Sequence, residues 1–226
     1  HPCSIKKDFE KEKHLVEDWF NKREFAAVGE MGTDLYWDKT YWTQYGIGSK
    51  NLEKFNVYPL KEYKLSNGEK SMLITGSGIY GYFTSNGELY KVYQPMAGKR
   101  KHMNVKNHIQ GLDQLNPMGN ALGMIIITKS LKDIVCLSIM GYESISPQSE
   151  NVLLPTKLME SLSTQYGHKY VLFDNDPAGK RYGNILSKNY DNTNLFVVQI
   201  PEGQDIDDLI MKSENKSAAV KTAKYT

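Results

Sequence analysis

The chain has 226 residues, 40% of them hydrophobic and 24% charged, which suits one large globular domain or two small ones. A net charge of only +2 leaves any case for nucleic-acid binding to local clustering. Cys3 and Cys136 make neither a disulfide framework nor a zinc site, and no apolar run of membrane-spanning length and no signal peptide is visible, so the expected setting is a reducing cytoplasm.

Residues 4–25 read as a mostly polar helix with an incomplete apolar stripe of Phe9, Leu15, Val16, Trp19 and Phe20, capped by Ser4. Two shorter helices are expected around 39–46 and 49–56, with Tyr41, Trp42, Tyr45, Leu52 and Phe55 inward and Ser49 as a cap. From Val57 to about Val105 short alternating runs, punctuated by Ser66-Asn67-Gly68 and Ser85-Asn86-Gly87, predict antiparallel strands. Gly76-Ser77-Gly78-Ile79-Tyr80-Gly81 matches G-x-G-x-x-G, but no acidic ribose partner and no βαβ context follow. It reads as a turn between strands. From about Gly123 strand and helix alternate: a strand at 124–127, a helix from Leu131 to Met140 ended by Gly141, a short strand at 144–146, a helix from Leu153 to Tyr166, a strand at 170–173, a helix from Pro177 to Leu186 and a strand from Leu195 to Ile200. This predicts an α/β unit with a largely parallel sheet. Cys136 falls in an apolar helical pattern and is expected as a core thiol. The tail after Met211 is rich in Lys, Ser and Ala and reads as a weak helix or frayed end.

Tyr170-Val171-Leu172-Phe173 followed by Asp174-Asn175-Asp176-Pro177 is the most informative stretch. Four apolar or aromatic residues suit a buried parallel strand, Asp176 can cap the next helix, and Pro177 fits its first position. Carboxylates at the carboxyl end of such a strand sit where open α/β sheets bind ligands, and hard oxygens there suit Mg²⁺ and phosphates. An ordinary cap and turn has the same sequence, so neighbouring loops must decide. The other strand ends carry Thr128-Lys129-Ser130-Leu131-Lys132-Asp133, then Pro147-Gln148-Ser149-Glu150, then Gly203-Gln204-Asp205-Ile206-Asp207-Asp208. Carboxyl ends converge on one edge of a parallel sheet, and that many carboxylates repel unless cations bind them. Upstream, Lys99, Arg100, Lys101, His102, Met103, Asn104, Val105 and Lys106 form the densest cationic run, near Tyr90 and Tyr93. A basic segment with aromatic neighbours suits single-stranded nucleic acid, although a charge run by itself is usually a solvated loop.

The order of apolar strand, Asp-bearing loop, second strand and Asp-x-Asp-x-x-Gly resembles the TOPRIM fold of primases and topoisomerases. Tyr41-Trp42-Thr43-Gln44-Tyr45-Gly46-Ile47 with Leu52, Phe55 and Val57 is similar to the motif opening the catalytic core of DnaG-type primases. Lys101-His102-Met103-Asn104 and Ile109-Gln110-Gly111-Leu112-Asp113-Gln114 resemble the segment leading into TOPRIM, and Gly203-Gln204-Asp205-Ile206-Asp207 resembles the closing acidic motif. The resemblance covers roughly 36–210 and is closer in style to phage primases than to cellular ones. It implies a TOPRIM-type, largely parallel α/β sheet at 119–212 (α+β for the chain as a whole), preceded by a mixed helix and antiparallel-sheet subdomain at 26–118, with an N-terminal segment at 1–25 and a tail at 213–226.

It also implies a primase that makes short primers on single-stranded DNA from nucleoside triphosphates, using Mg²⁺ or Mn²⁺, with a replicative helicase and a separate zinc-binding domain as partners and host cytoplasm as the setting if phage-encoded. Asp174, Asp176, Glu150, Asp205 and Asp207 would be the metal ligands, Asp133 and Lys129 would complete the catalytic set, and Lys99, Arg100, Lys101, Asn104 and Lys106 would bind the template. The departure is Lys129, which stands where the family has the glutamate of Glu-Gly-x-x-Asp. Either Glu150 supplies the missing carboxylate while Lys129 contacts a phosphate, or catalysis is lost. A TOPRIM nuclease and a non-catalytic nucleic-acid-binding module remain alternatives. A topoisomerase does not, because a chain this short lacks room for strand-passage domains.

Overall fold

The computed structural model describes residues 41–60, 62–66, 71–75, 78–98, 101–149, 152–190, 194–201, 204 and 206. The expected helix at 4–25, Gly76 and Ser77 of the glycine pattern and the tail after 211 lie outside these residues. The chain divides into two compact units: one holds the described residues up to Thr43 together with Gly48–Asn107, the other Gln44–Ile47 and the described residues from His108 onward.

Of the helix expected around 39–46, the described residues 41–45 are helical, wide at 41–42 and 3₁₀ at Thr43–Tyr45. Helix α1 is Ser49–Lys54, and its cap is Gly48 rather than the expected Ser49. The Asn51 side chain reaches back to accept from the Gly48 backbone N–H at 3.0 Å, which frees Ser49 to be helical. Asn56 then takes a left-handed φ of 53°, a conformation that Asn tolerates better than most residues. Among the described residues six strands follow: β1 (Val57–Pro59), β2 (Glu62–Ser66), β3 (Ser71–Thr75), β4 (Tyr80–Phe83), β5 (Leu89–Tyr93) and β6 (His102–Asn104). Strands β1-β4-β5-β6 form an antiparallel sheet in that order, while β2 and β3 pair separately. The β4–β5 turn uses Gly87 at φ 80°, its N–H donating to Thr84 O at 2.9 Å. Tyr58, Ile79, Phe83, Val92 and Met103 pack as one core. Registered pairs share a face, so Tyr82, Lys91 and Asn104 lie together, as do Tyr80, Tyr93 and His102. Trp42 meets Tyr80 edge-on at 5.2 Å.

The second unit contains β7 (Met124–Thr128), α2 (Leu131–Ile139), β8 (Glu143–Ile145), α3 (Thr156–Gln165), β9 (His168–Phe173), α4 (Pro177–Asn189) and β10 (Leu195–Gln199). Its sheet runs β10-β9-β7-β8, with every pairing parallel. The strands at 124–127 and 170–173 are therefore adjacent in one sheet, and the α/β architecture is as expected. Alternate strand residues Ile125, Ile127, Ile145, Val171 and Phe173 pack with Met159, Leu162, Tyr182 and Leu186 of α3 and α4. Helix α3 begins at Thr156, not Leu153, because Pro155 caps it at ψ 138° and a residue before proline disfavours helical geometry. Cys136 is buried in α2, as a core thiol should be. Among the described residues no helix is long and apolar enough to cross a membrane.

Candidate active site

The parallel sheet directs the carboxyl ends of β7, β8, β9 and β10 to one edge, and three of these ends are fixed by local chemistry. At the end of β7, Ser130 caps α2 by accepting from the Asp133 backbone N–H at 3.2 Å. Asp133 is wholly buried, and its Oδ2 accepts from the equally buried Thr128 hydroxyl at 3.2 Å. This carboxylate thus locks the strand end to the first turn of α2.

At the end of β9, Asp176 caps α4, its Oδ1 accepting from Gly179 N at 2.7 Å with Pro177 in the first turn, as the sequence predicts. Gly179 is the residue that lets helix and strand end close on each other. A Cβ there would lie 2.1 Å from the Asp174 carbonyl oxygen. Asn175, to which the sequence reading gave no role, donates from Nδ2 to Ile200 O at 2.8 Å and ties the β9 loop to the chain leaving β10. The β8 end is held from outside the sheet by Gln110. It is fully buried, exchanges backbone hydrogen bonds with Ser146, and donates from its side chain to Ser146 Oγ at 3.2 Å and Pro147 O at 3.0 Å.

Asp174 and Lys129 are brought together: the Lys129 ammonium forms an ion pair with Asp174 Oδ2. Register explains it, since Thr128 pairs with Leu172 and the residues leaving the two strand ends are neighbours. The other carboxylate oxygen, Asp174 Oδ1, is buried and has no hydrogen-bond partner among the described residues. Glu150, Asp205 and Asp207 lie outside the described residues. Among the described residues no group of three or more His, Cys, Asp or Glu comes together as a metal cage.

The basic segment belongs to the first unit. Lys99 and Arg100 lie outside the described residues. Lys101, Asn104 and Lys106 are exposed on or beside β6, the edge strand of its sheet. Lys106 pairs with Glu88, and both side chains are about half exposed; such a pair contributes little. The His102 ring stacks on Tyr93 at 4.7 Å. Next to Asn104 in the register lies Lys91, a residue the sequence reading passed over. It is buried, and desolvation pushes its amine down to about 8. Its apolar neighbours in sequence, Tyr90 and Val92, give a strand signal that hides a buried cation.

Residues 128–210 match the Toprim-like family model. No curated protein matches the chain at a significant level of sequence similarity. Among solved structures, the chain is similar to the RNA polymerase domain of Mycobacterium tuberculosis primase DnaG, with 13% identity, 94% of this chain and 83% of that one covered, and a TM-score of 0.64. It is similar to a DnaG primase catalytic domain bound to single-stranded DNA, with 12% identity, 95% and 82% covered, and a TM-score of 0.64. It is also similar to the primase fragment of the Bacteriophage T7 primase-helicase protein, with 14% identity, 81% and 73% covered, and a TM-score of 0.52. At these identities the likeness is one of fold. The chain therefore carries a Toprim-like domain within the fold of DnaG primase catalytic cores.

Toprim domains typically bind Mg²⁺. The residues present fit such an ion in part: Asp174 offers a buried oxygen with no partner among the described residues, and Asp176 has a second oxygen beyond the one used in its cap. Both are the hard donors that Mg²⁺ prefers.

Proposed function

We propose that this chain is the RNA-polymerase core of a DNA primase, synthesising short primers on single-stranded DNA by metal-dependent nucleotidyl transfer. The observation that carries this reading is the Asp174-Asn175-Asp176 loop at the carboxyl edge of the parallel sheet, within a fold shared along most of the chain with primase catalytic cores. Asp174 and Asp176 would hold the divalent ions, together with Glu150, Asp205 and Asp207 from the neighbouring strand ends. Bound Mg²⁺ or Mn²⁺ would supply the charge that activates a primer 3′-hydroxyl and neutralises the departing pyrophosphate.

The chain's own residues keep this edge in place. Asp133 fixes the β7 end through Thr128, Asn175 fixes the β9 loop to Ile200, and Gly179 lets α4 seat against the Asp174 backbone. Lys101, Asn104 and Lys106, with Lys99 and Arg100, would bind template phosphates. A DnaG catalytic domain of the same fold binds single-stranded DNA.

The Lys129–Asp174 ion pair favours a second reading, a nucleic-acid-binding module that has lost catalysis. Template-directed dinucleotide synthesis with Mg²⁺ or Mn²⁺ separates the two when a nuclease assay is run on the same sample. Dinucleotide product that disappears in Asp174→Asn supports the primase. DNA binding with neither product nor cleavage supports the module, and cleavage without product supports a nuclease.

A further inference from the structure

We infer that Lys129 competes with a divalent ion for Asp174, so that the protein holds one metal position closed by its own ammonium group. This rests on the reading of Asp174 and Asp176 as metal ligands, and adds how loading of that site is controlled.

Three observations combine. The Lys129 and Asp174 side chains are 18% and 26% exposed, so the pair is shielded well beyond a surface ion pair. The second oxygen of Asp174 is buried without a partner among the described residues, which leaves the carboxylate short of half its hydrogen-bonding capacity and open to a further cation. Asp176 already spends one oxygen on the α4 cap, so its capacity for metal is reduced as well. An ammonium and a divalent ion on the same small carboxylate repel each other strongly at contact distance. A metal that takes Asp174 in full must displace Lys129 or share the carboxylate at reduced affinity.

The site thus differs from a plain two-carboxylate motif. Its resting charge is already partly balanced, and it needs less metal to remain folded. A glutamate at position 129, as in Glu-Gly-x-x-Asp, would have the opposite effect, adding a negative charge that only a metal could offset.

The test is a Mn²⁺ titration of the full chain without nucleotide, read by the electron paramagnetic resonance of free Mn²⁺. Lys129→Met removes the charge and keeps much of the side-chain length, and should bind Mn²⁺ about tenfold more tightly than the unsubstituted chain, a factor equal to roughly 1.4 kcal/mol. Lys129→Arg keeps a cation and should remain close to the unsubstituted chain. The double variant Lys129→Met with Asp174→Asn should lose the gain. Thermal unfolding gives a second readout: Mn²⁺ should raise the midpoint of Lys129→Met more than that of the unsubstituted chain. Identical titrations for the unsubstituted chain and Lys129→Met would overturn the competition while leaving the metal site intact, provided that Asp174→Asn still weakens Mn²⁺ binding. If Asp174→Asn and Asp176→Asn change neither Mn²⁺ binding nor primer synthesis, the primase reading falls and the competition falls with it.

Discussion

The closest backbone approach around the candidate site is at Gly179, and it makes a quantitative prediction for Gly179→Ala. A Cβ at this position would sit 2.1 Å from the Asp174 carbonyl oxygen, 3.1 Å from its carbonyl carbon and 3.2 Å from its nitrogen, whereas real Cβ contacts essentially never fall under 3.0 Å. At least 0.9 Å (3.0 − 2.1) must therefore come from backbone movement, because no flexible side chain is available to yield. Alanine in a helix gains about 1 kcal/mol over glycine. Overpacking typically costs about 1–3 kcal/mol, and the same shift pulls Gly179 N from its 2.7 Å bond to Asp176, a cap interaction of about 1 kcal/mol. The balance is a net loss of roughly 1–3 kcal/mol.

With a urea dependence of about 1–3 kcal/mol per molar, the unfolding midpoint should fall by roughly 1 M. Primer synthesis should drop about 100-fold, because a displacement near 1 Å at a positioned ligand has that effect. Gly183→Ala, about one turn further along α4, is the control: its Cβ would meet Val197 Cγ1 at 3.1 Å, a side chain free to adjust, so stability should be unchanged or slightly higher. If Gly179→Ala behaves like Gly183→Ala in both urea unfolding and primer synthesis, the close approach does not position Asp174.

Asp174→Asn and Asp176→Asn should each abolish metal-dependent primer synthesis, and Asp176→Asn should keep native stability because Asn still caps a helix, whereas Asp176→Ala should lose about 1 kcal/mol in urea unfolding. Replacing Lys99, Arg100, Lys101 and Lys106 together by Ala should weaken single-stranded DNA binding and flatten its salt dependence by a slope of about 0.7 per lost phosphate contact, measured by fluorescence anisotropy across salt; an unchanged slope removes the basic segment from the interface. For Lys91, burial holds the amine near 8 in the folded protein, below its ordinary value of 10.5. The unfolded chain therefore binds more protons between these values, and stability should rise with pH above about 8. Tyr166 and Tyr182, whose hydroxyls burial pushes up, act in the opposite direction only as unfolded tyrosine ionises near pH 10. Urea unfolding at pH 7.5 and 9.5 should thus show a gain that Lys91→Met lacks.

What was legible in the sequence is what neighbouring residues decide among themselves. Asp176 and Pro177 announce a helix start through capping and a fixed φ, and the structure places both there. Ile125 to Ile127 and Val171 to Phe173 announce buried parallel strands because no polar residue interrupts them, and they pair side by side. The misreadings are also local. Leu153 and Leu154 continue an apolar pattern, but Pro155 outranks the pattern and delays α3 to Thr156. Ser49 is a good cap by type, yet Asn51 can reach the preceding N–H and moves the cap to Gly48. The interactions that shape the site join residues far apart in the chain: Gln110 to Ser146, Asn175 to Ile200, and Lys129 to Asp174.

The Lys129 case shows what register adds to composition. Read along the chain, a lysine replacing an expected carboxylate suggests either a phosphate contact or a dead site, since its charge has the wrong sign for a metal ligand. Parallel pairing of Thr128 with Leu172 supplies a third possibility by delivering the lysine to the first aspartate of Asp-x-Asp. A carboxylate at position 129 would make the edge more negative and more dependent on metal; a lysine there makes it less negative and less dependent. On the proposed reading, Lys129 would lower the metal demand of the site without removing Asp174 or Asp176, so loss of a family carboxylate at this position would not by itself imply loss of function.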